Sequence, residues 1–152
     1  MPLSGVTVVI YPAAKSRHHG WLSALQAAGV PFRASWLTWR FNLDLDEEPS
    51  RSDWAEHVEV CLREARESDA VLLYAQLDDR PHFGAIMEAA AALSNGKQCY
   101  LVSPHPWEFL RNHPRCRSFE TMASAITSIV AMQAGQEARV IAQLAGERGR
   151  AA

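Results

Sequence analysis

Three carboxylates, Asp78, Asp79 and Glu88, fall close together between an apolar run and a segment of small residues. Glu88 has Ala85, Ala89, Ala91 and Ala92 as neighbours, short side chains that leave space beside its oxygens. An ionised, partly desolvated carboxylate in such a place can attack an electrophilic carbon or stabilise an oxocarbenium-like centre. Near a helix start the dipole favours the ionised form. The plainer alternative is a solvated helix glutamate. Asp78 or Asp79 could donate a proton to a leaving group, or hold a hydroxyl, if the adjoining carboxylate raised its pKa. Helix capping competes with that role, since Asp is a favoured N-cap and Pro81 suits a first helical turn.

Other residues fall into place around these acids. Tyr11 ends the first apolar run and is placed to face the same cleft, with Pro12 to Lys15 as the loop above it. Trp36 and Trp54 sit at strand and helix spacing and read as core, whereas Trp39 lies outside the periodic pattern and is the better stacking partner for a flat ligand. The six histidines include no metal-type pair on one helix face, and only His82, beside the Glu88 segment, merits attention. No metal or cofactor is expected. Neither G-x-G-x-x-G nor G-x-x-x-x-G-K-[ST] occurs, which disfavours a phosphate-cradling loop. Lys15 and Arg17 could meet a phosphate, although a solvated loop explains them better. No G-x-S-x-G or C-x-x-C is present, so a serine or cysteine nucleophile has no motif behind it.

The elements that must position these groups follow from hydrophobic patterning. Residues 5–11 (GVTVVIY) form a near-continuous β-branched run, the signature of a strand covered on both faces. Residues 16–28 have helical spacing through Trp21, Leu22, Leu25 and Ala28, with Gly29 as the stop. Residues 31–37 alternate Phe32, Ala34 and Trp36 against polar partners and predict a strand nearer the sheet edge. The acidic stretch 42–49 is a loop inserted within the domain. Ser50 and Asp53 open a helix whose stripe runs Trp54, Val58, Cys61, Leu62, Ala65. SDAVLLYA at 68–75 is a buried strand, and the Glu88 helix begins between Pro81 and Gly84. A Gly96–Lys97 turn then precedes a strand at 98–102. Residues 103–114 are proline-punctuated, Phe119 marks a short last strand, and Thr121 opens a long terminal helix with a frayed AGERGRAA tail.

Such alternation predicts an α/β domain, a mainly parallel sheet with helices on both faces. The boundaries are one domain over 1–135 followed by a C-terminal helix end and tail over 136–152. A length of 152 residues suits one substantial core, and a net charge near −2 gives no case for a nucleic-acid or membrane surface. No run approaches the roughly 20 apolar residues of a membrane span. Cys61, Cys99 and Cys116 are too widely spaced for a metal site and read as buried thiols, and the start of the chain lacks a signal-peptide pattern, so a cytoplasmic location is expected.

SDAVLLYA at 68–75, Asp78 or Asp79, Gly84 four positions before Glu88, and GKQCYLV at 96–102 together resemble the nucleoside 2-deoxyribosyltransferase family. The resemblance implies a three-layer α/β/α sandwich with a five-stranded flavodoxin-like sheet. It further implies Glu88 as the nucleophile at the anomeric carbon of a nucleoside or nucleotide, with Asp78 or Asp79 as the base-side acid. Tyr11 and Gly84 would lie at the sugar, and a homo-oligomer would complete the site. Three departures bear on activity. YPAAK stands where the family has a Gly-Pro loop, Ala85 replaces a hydroxyl residue, and Gln98 replaces a proline. The expected function is transfer or hydrolysis of an N-glycosidic bond. A non-catalytic nucleoside-binding module and a protein-interaction domain with a vestigial cleft are the alternatives.

Overall fold

The structure is a computed structural model that describes residues 7–38, 51–79 and 83–150. Strands β1 (Ile10–Ala13), β2 (Ala70–Tyr74), β3 (Gln98–Val102) and β4 (Cys116–Phe119) form an all-parallel sheet in the order β1-β2-β3-β4. Helices α1 (His19–Ala27), α2 (Arg51–Glu67), α3 (Phe83–Ser94), α4 (Glu108–Arg111) and α5 (Met122–Arg150) accompany it, an arrangement consistent with a three-layer α/β/α sandwich. β2 and β3 form its centre. Val71, Leu72 and Leu73 pair with Cys99, Tyr100 and Leu101, and all six are buried. Strands buried on both faces must be apolar throughout, which is why the 70–74 and 98–102 runs do not alternate.

Among the described residues the sheet has four strands, not the five expected. Phe32 makes one isolated bridge to Ile10, and the chain then turns into a 3-10 segment, Ser35–Leu37. Phe32, Ala34 and Trp36 are buried as the alternation required. The backbone leaves the ladder because the Glu64 carboxylate accepts hydrogen bonds from the Ser35 N–H (2.9 Å) and the Ser35 hydroxyl. Trp36 Nε1 donates to the Pro12 carbonyl at 2.9 Å and fixes the turn against β1. Side-chain acceptors here outcompete strand pairing.

Other boundaries moved as well. β1 begins at Ile10, later than the β-branched run suggested, and includes Pro12. The 16–28 helix splits into a 3-10 turn, Ser16–His18, and α1. The terminal helix continues to Arg150 where fraying was expected, in keeping with its Ala, Gln, Glu and Arg content. The stripe on α2 is core only in its second half: Cys61 and Ala65 are buried, whereas Trp54 and Val58 are exposed. Cys99 is buried, Cys116 is half-buried, and all three thiols are free.

Two helix ends are set by glycine. Gly29 (φ 105°) and Gly96 (φ 76°) adopt the left-handed conformation after α1 and α3. Val30 N–H then reaches Leu25 O and Lys97 N–H reaches Ala92 O, the six-to-one bonds of Schellman caps. The second cap aims the chain from α3 straight into β3. Among the described residues no helix is long and apolar enough to cross a membrane.

Candidate functional site

Glu88 is the sixth residue of α3, in its second turn, beyond the end at which the helix dipole acts most strongly. α3 packs on α2 and on the sheet through Ala85, Ala89 and Ala92, all buried. These small residues let α3 approach the sheet closely, which brings the longer Glu88 side chain among groups from β1 and α2. Glu88 is half-buried, and burial pushes its carboxyl up to about 8. The Tyr11 hydroxyl and Cys61 thiol pull the other way without offsetting it, and the Glu64 charge adds to the rise. The ionised form favoured by a helix start is therefore not the resting form. Desolvation exceeds the dipole.

Tyr11, on β1, is fully buried. Its hydroxyl has no hydrogen-bond partner at bonding distance among the described residues, yet it faces Glu88 and Cys61 closely enough to act on both. Burial raises the phenol far above its ordinary range, so it remains a donor. Leaving a buried hydroxyl unbonded costs about 1–3 kcal/mol, a cost relieved if an anionic Glu88 or a ligand oxygen accepts from it. Cys61 is buried, and burial pushes its thiol up to about 11, so no thiolate forms at neutral pH. His57, one turn before it on α2, approaches the Cys61 sulfur at 3.6 Å. Burial lowers its pKa and disfavours an imidazolium at this spot.

Asp78 and Asp79 end the loop after β2 and belong to a different constellation. Asp79 is 1% exposed. Its carboxylate accepts from Arg17 Nε at 2.6 Å, His18 Nε2 at 2.7 Å and the Gln76 N–H at 2.7 Å. Burial alone would raise its pKa, but these three donors prevail and hold it down at about 2. Asp78 is exposed and takes Arg17 NH2 at 2.8 Å, and that hydrogen bond lowers its carboxyl too. The expected rise in one of these aspartates is thus replaced by a fall in both, because a cation lies beside them where a second carboxylate was anticipated. Both are fixed acceptors at neutral pH. Neither is among the groups that shift Glu88.

Arg17 consequently is not a free loop cation awaiting a phosphate. It joins the loop after β1 to the loop after β2, and Gln76 Oε1 at 3.1 Å completes its contacts. His18 is buried and packs edge-on to Tyr74, with centroids 5.0 Å apart. Sequence reasoning gave Arg17 to a solvated loop, read Cys61 only as a buried thiol, and missed His18 and Glu64. The available signal was topological: parallel neighbouring strands deliver their following loops to one edge. Gly84 lies in the first turn of α3, is exposed, and has open space where a side chain would stand. Trp36 is core as expected; Trp54 is exposed and touches His57. Trp39, His82 and the acidic 42–49 segment lie outside the described residues. No group of histidine, cysteine or acidic side chains among the described residues could hold a metal ion.

Compared with known proteins, the chain matches no family model and no curated relative. What defines the site is therefore its own geometry: a proton-holding carboxyl on α3 beside an unbonded phenol inside β1.

Proposed function

We propose that the chain is a nucleoside 2-deoxyribosyltransferase-like enzyme on a flavodoxin-like sheet, acting on the N-glycosidic bond of a nucleoside or nucleotide through Glu88. The observation that carries this reading is the Glu88 carboxyl, desolvated, facing the Tyr11 hydroxyl and with no cation among the described residues shifting it. In the first step an oxygen of ionised Glu88 bonds the anomeric carbon, and the carbon–nitrogen bond breaks with its electron pair leaving on the base, which takes up a proton from water. In the second step a second base or water attacks the same carbon and releases Glu88 as carboxylate. The Tyr11 O–H can donate to Glu88 or to the sugar oxygen. The roles left to Asp78 and Asp79 are those of acceptors, and Asp78 is the one a ligand can reach. Cytoplasmic nucleotide metabolism and a homo-oligomeric assembly complete the proposal.

With a pKa of about 8, roughly a tenth of Glu88 is ionised at pH 7, so base release should climb with pH through that value. Base release from a panel of nucleosides and nucleotides, followed across pH 6–9, tests this. Glu88→Gln should cut it by at least about a thousandfold while circular dichroism stays native. Undiminished release in that variant refutes the proposal.

One observation favours a second reading, a non-catalytic nucleoside-binding module. The resting Glu88 is mostly protonated, and a protonated carboxyl binds a sugar hydroxyl more readily than it attacks carbon. That reading predicts saturable binding by calorimetry without turnover. The interaction-domain alternative predicts neither.

A further inference from the structure

A cleft of about 820 Å³ lies at the carboxyl ends of β2, β3 and β4, and neither Tyr11 nor Glu88 lines it. Its walls are aromatic and apolar. Trp21 from α1 and Tyr74 from β2 meet with centroids 4.9 Å apart, and Phe119 closes the opposite side from β4. Trp21 is 41% exposed and Leu77, on the rim, is 67% exposed. A soluble fold usually covers such side chains unless something visits them.

The polar lining divides into two kinds. Gln76, Ser103 and Arg111 are already committed. Gln76 Nε2 donates to the Tyr74 hydroxyl at 2.9 Å, the His105 N–H donates to Ser103 Oγ at 3.0 Å, and Arg111 donates to the carbonyls of Ser103 and His105. These bonds make a rigid frame. Ser118 and Glu120, both exposed, are uncommitted: neither side chain has a hydrogen bond or ion pair among the described residues. The cleft therefore offers a flat aromatic surface, one hydroxyl and one unneutralised carboxylate. A carboxylate accepts hydrogen bonds, so a planar ligand that carries N–H donors matches both the aromatic wall and Glu120. Aromatic walls with few convergent polar groups are the usual form of a small-molecule site.

We propose that this cleft is a second ligand site that takes an amino-substituted heteroaromatic base, stacked on Trp21 and hydrogen-bonded through its N–H groups to Glu120. The site stands apart from the Glu88 reading, since it shares no residue with it. Titration of the full chain against 2-aminopurine, and against its riboside, followed by ligand fluorescence, tests it. Saturable quenching of either probe is expected, weakened at least tenfold in Trp21→Ala and at least threefold in Glu120→Gln, and unchanged in Glu88→Gln. Glu120→Gln alters an exposed side chain and keeps the outcome readable should Trp21→Ala disturb α1. Absence of saturable quenching with both probes overturns the proposal. So does quenching that neither variant weakens, or quenching lost in Glu88→Gln alone, which would move the base to Glu88.

Discussion

Glu88 and Asp79 are two carboxyl groups withdrawn from water in one small domain, and their proton affinities move in opposite directions. Both are shielded from water, yet Asp79 is held down at about 2, while Glu88 is pushed up to about 8. Burial opposes charge at both. The difference lies in what each meets. Asp79 meets a guanidinium, an imidazole N–H and a backbone N–H, all donors aimed at its oxygens. Glu88 meets a phenol that does not reach bonding geometry, a thiol, and the like charge of Glu64. Depth of burial therefore does not identify a reactive acid; the donor set does. The Asp79 cluster is built to stay as it is, joining two loops, whereas the Glu88 cluster has a proton to exchange near neutral pH.

The largest test of this contrast removes the joint itself. Asp79→Ala should cost about 3–5 kcal/mol in chemical denaturation, because it strips His18 and the Gln76 N–H of their buried acceptor and leaves Arg17 only its exposed contacts. A loss no greater than that of a surface substitution would mean that Asp79 does not hold the two loops.

The pH profile of stability separates the two groups next. The folded pKa of Glu88 lies above its ordinary 4.5, so the folded state holds that proton more tightly than the unfolded chain does. Its contribution is complete below about 4.5 and is lost as pH rises through about 8. Asp79 has the opposite sign: its contribution is complete above 3.8 and is lost as pH falls through about 2. Thermal midpoints measured from pH 2 to pH 9 should fall at both ends, and Glu88→Gln should flatten only the alkaline fall. An alkaline fall that survives in that variant would assign it to another group.

The smallest effect is expected at Asp78. Its side chain is 74% exposed and its pair with Arg17 is open to water. Asp78→Ala should leave the denaturation midpoint essentially unmoved, as surface ion pairs usually do. A loss comparable to that of Asp79→Ala would show that both aspartates act as one unit with Arg17.

Much of this could be read from residue order. The buried strands at 70–74 and 98–102, the helix carrying Glu88 and the glycine stops after α1 and α3 are local consequences of apolar runs, small residues and positive φ. Tyr11 was expected at the end of the first strand, yet β1 runs on through Pro12 to Ala13, so Tyr11 lies inside the strand. The strand expected at 31–37 was not real beyond Phe32, because the decisive contact is the Glu64 carboxylate, which reaches Ser35 from 29 residues further along the chain. Arg17 and His18 looked like loop residues for a similar reason. Their partners Asp78 and Asp79 lie about sixty residues on and meet them only once β1 and β2 pair.

By itself, then, the sequence determined the central strands at 70–74 and 98–102, the main helices and which acids could do chemistry, since periodicity and turn residues act over a few positions. Only the tertiary structure decided which of those acids is locked in its charged form and which retains a proton. That outcome depends on whether donors from distant segments arrive as water leaves, and no local pattern records it.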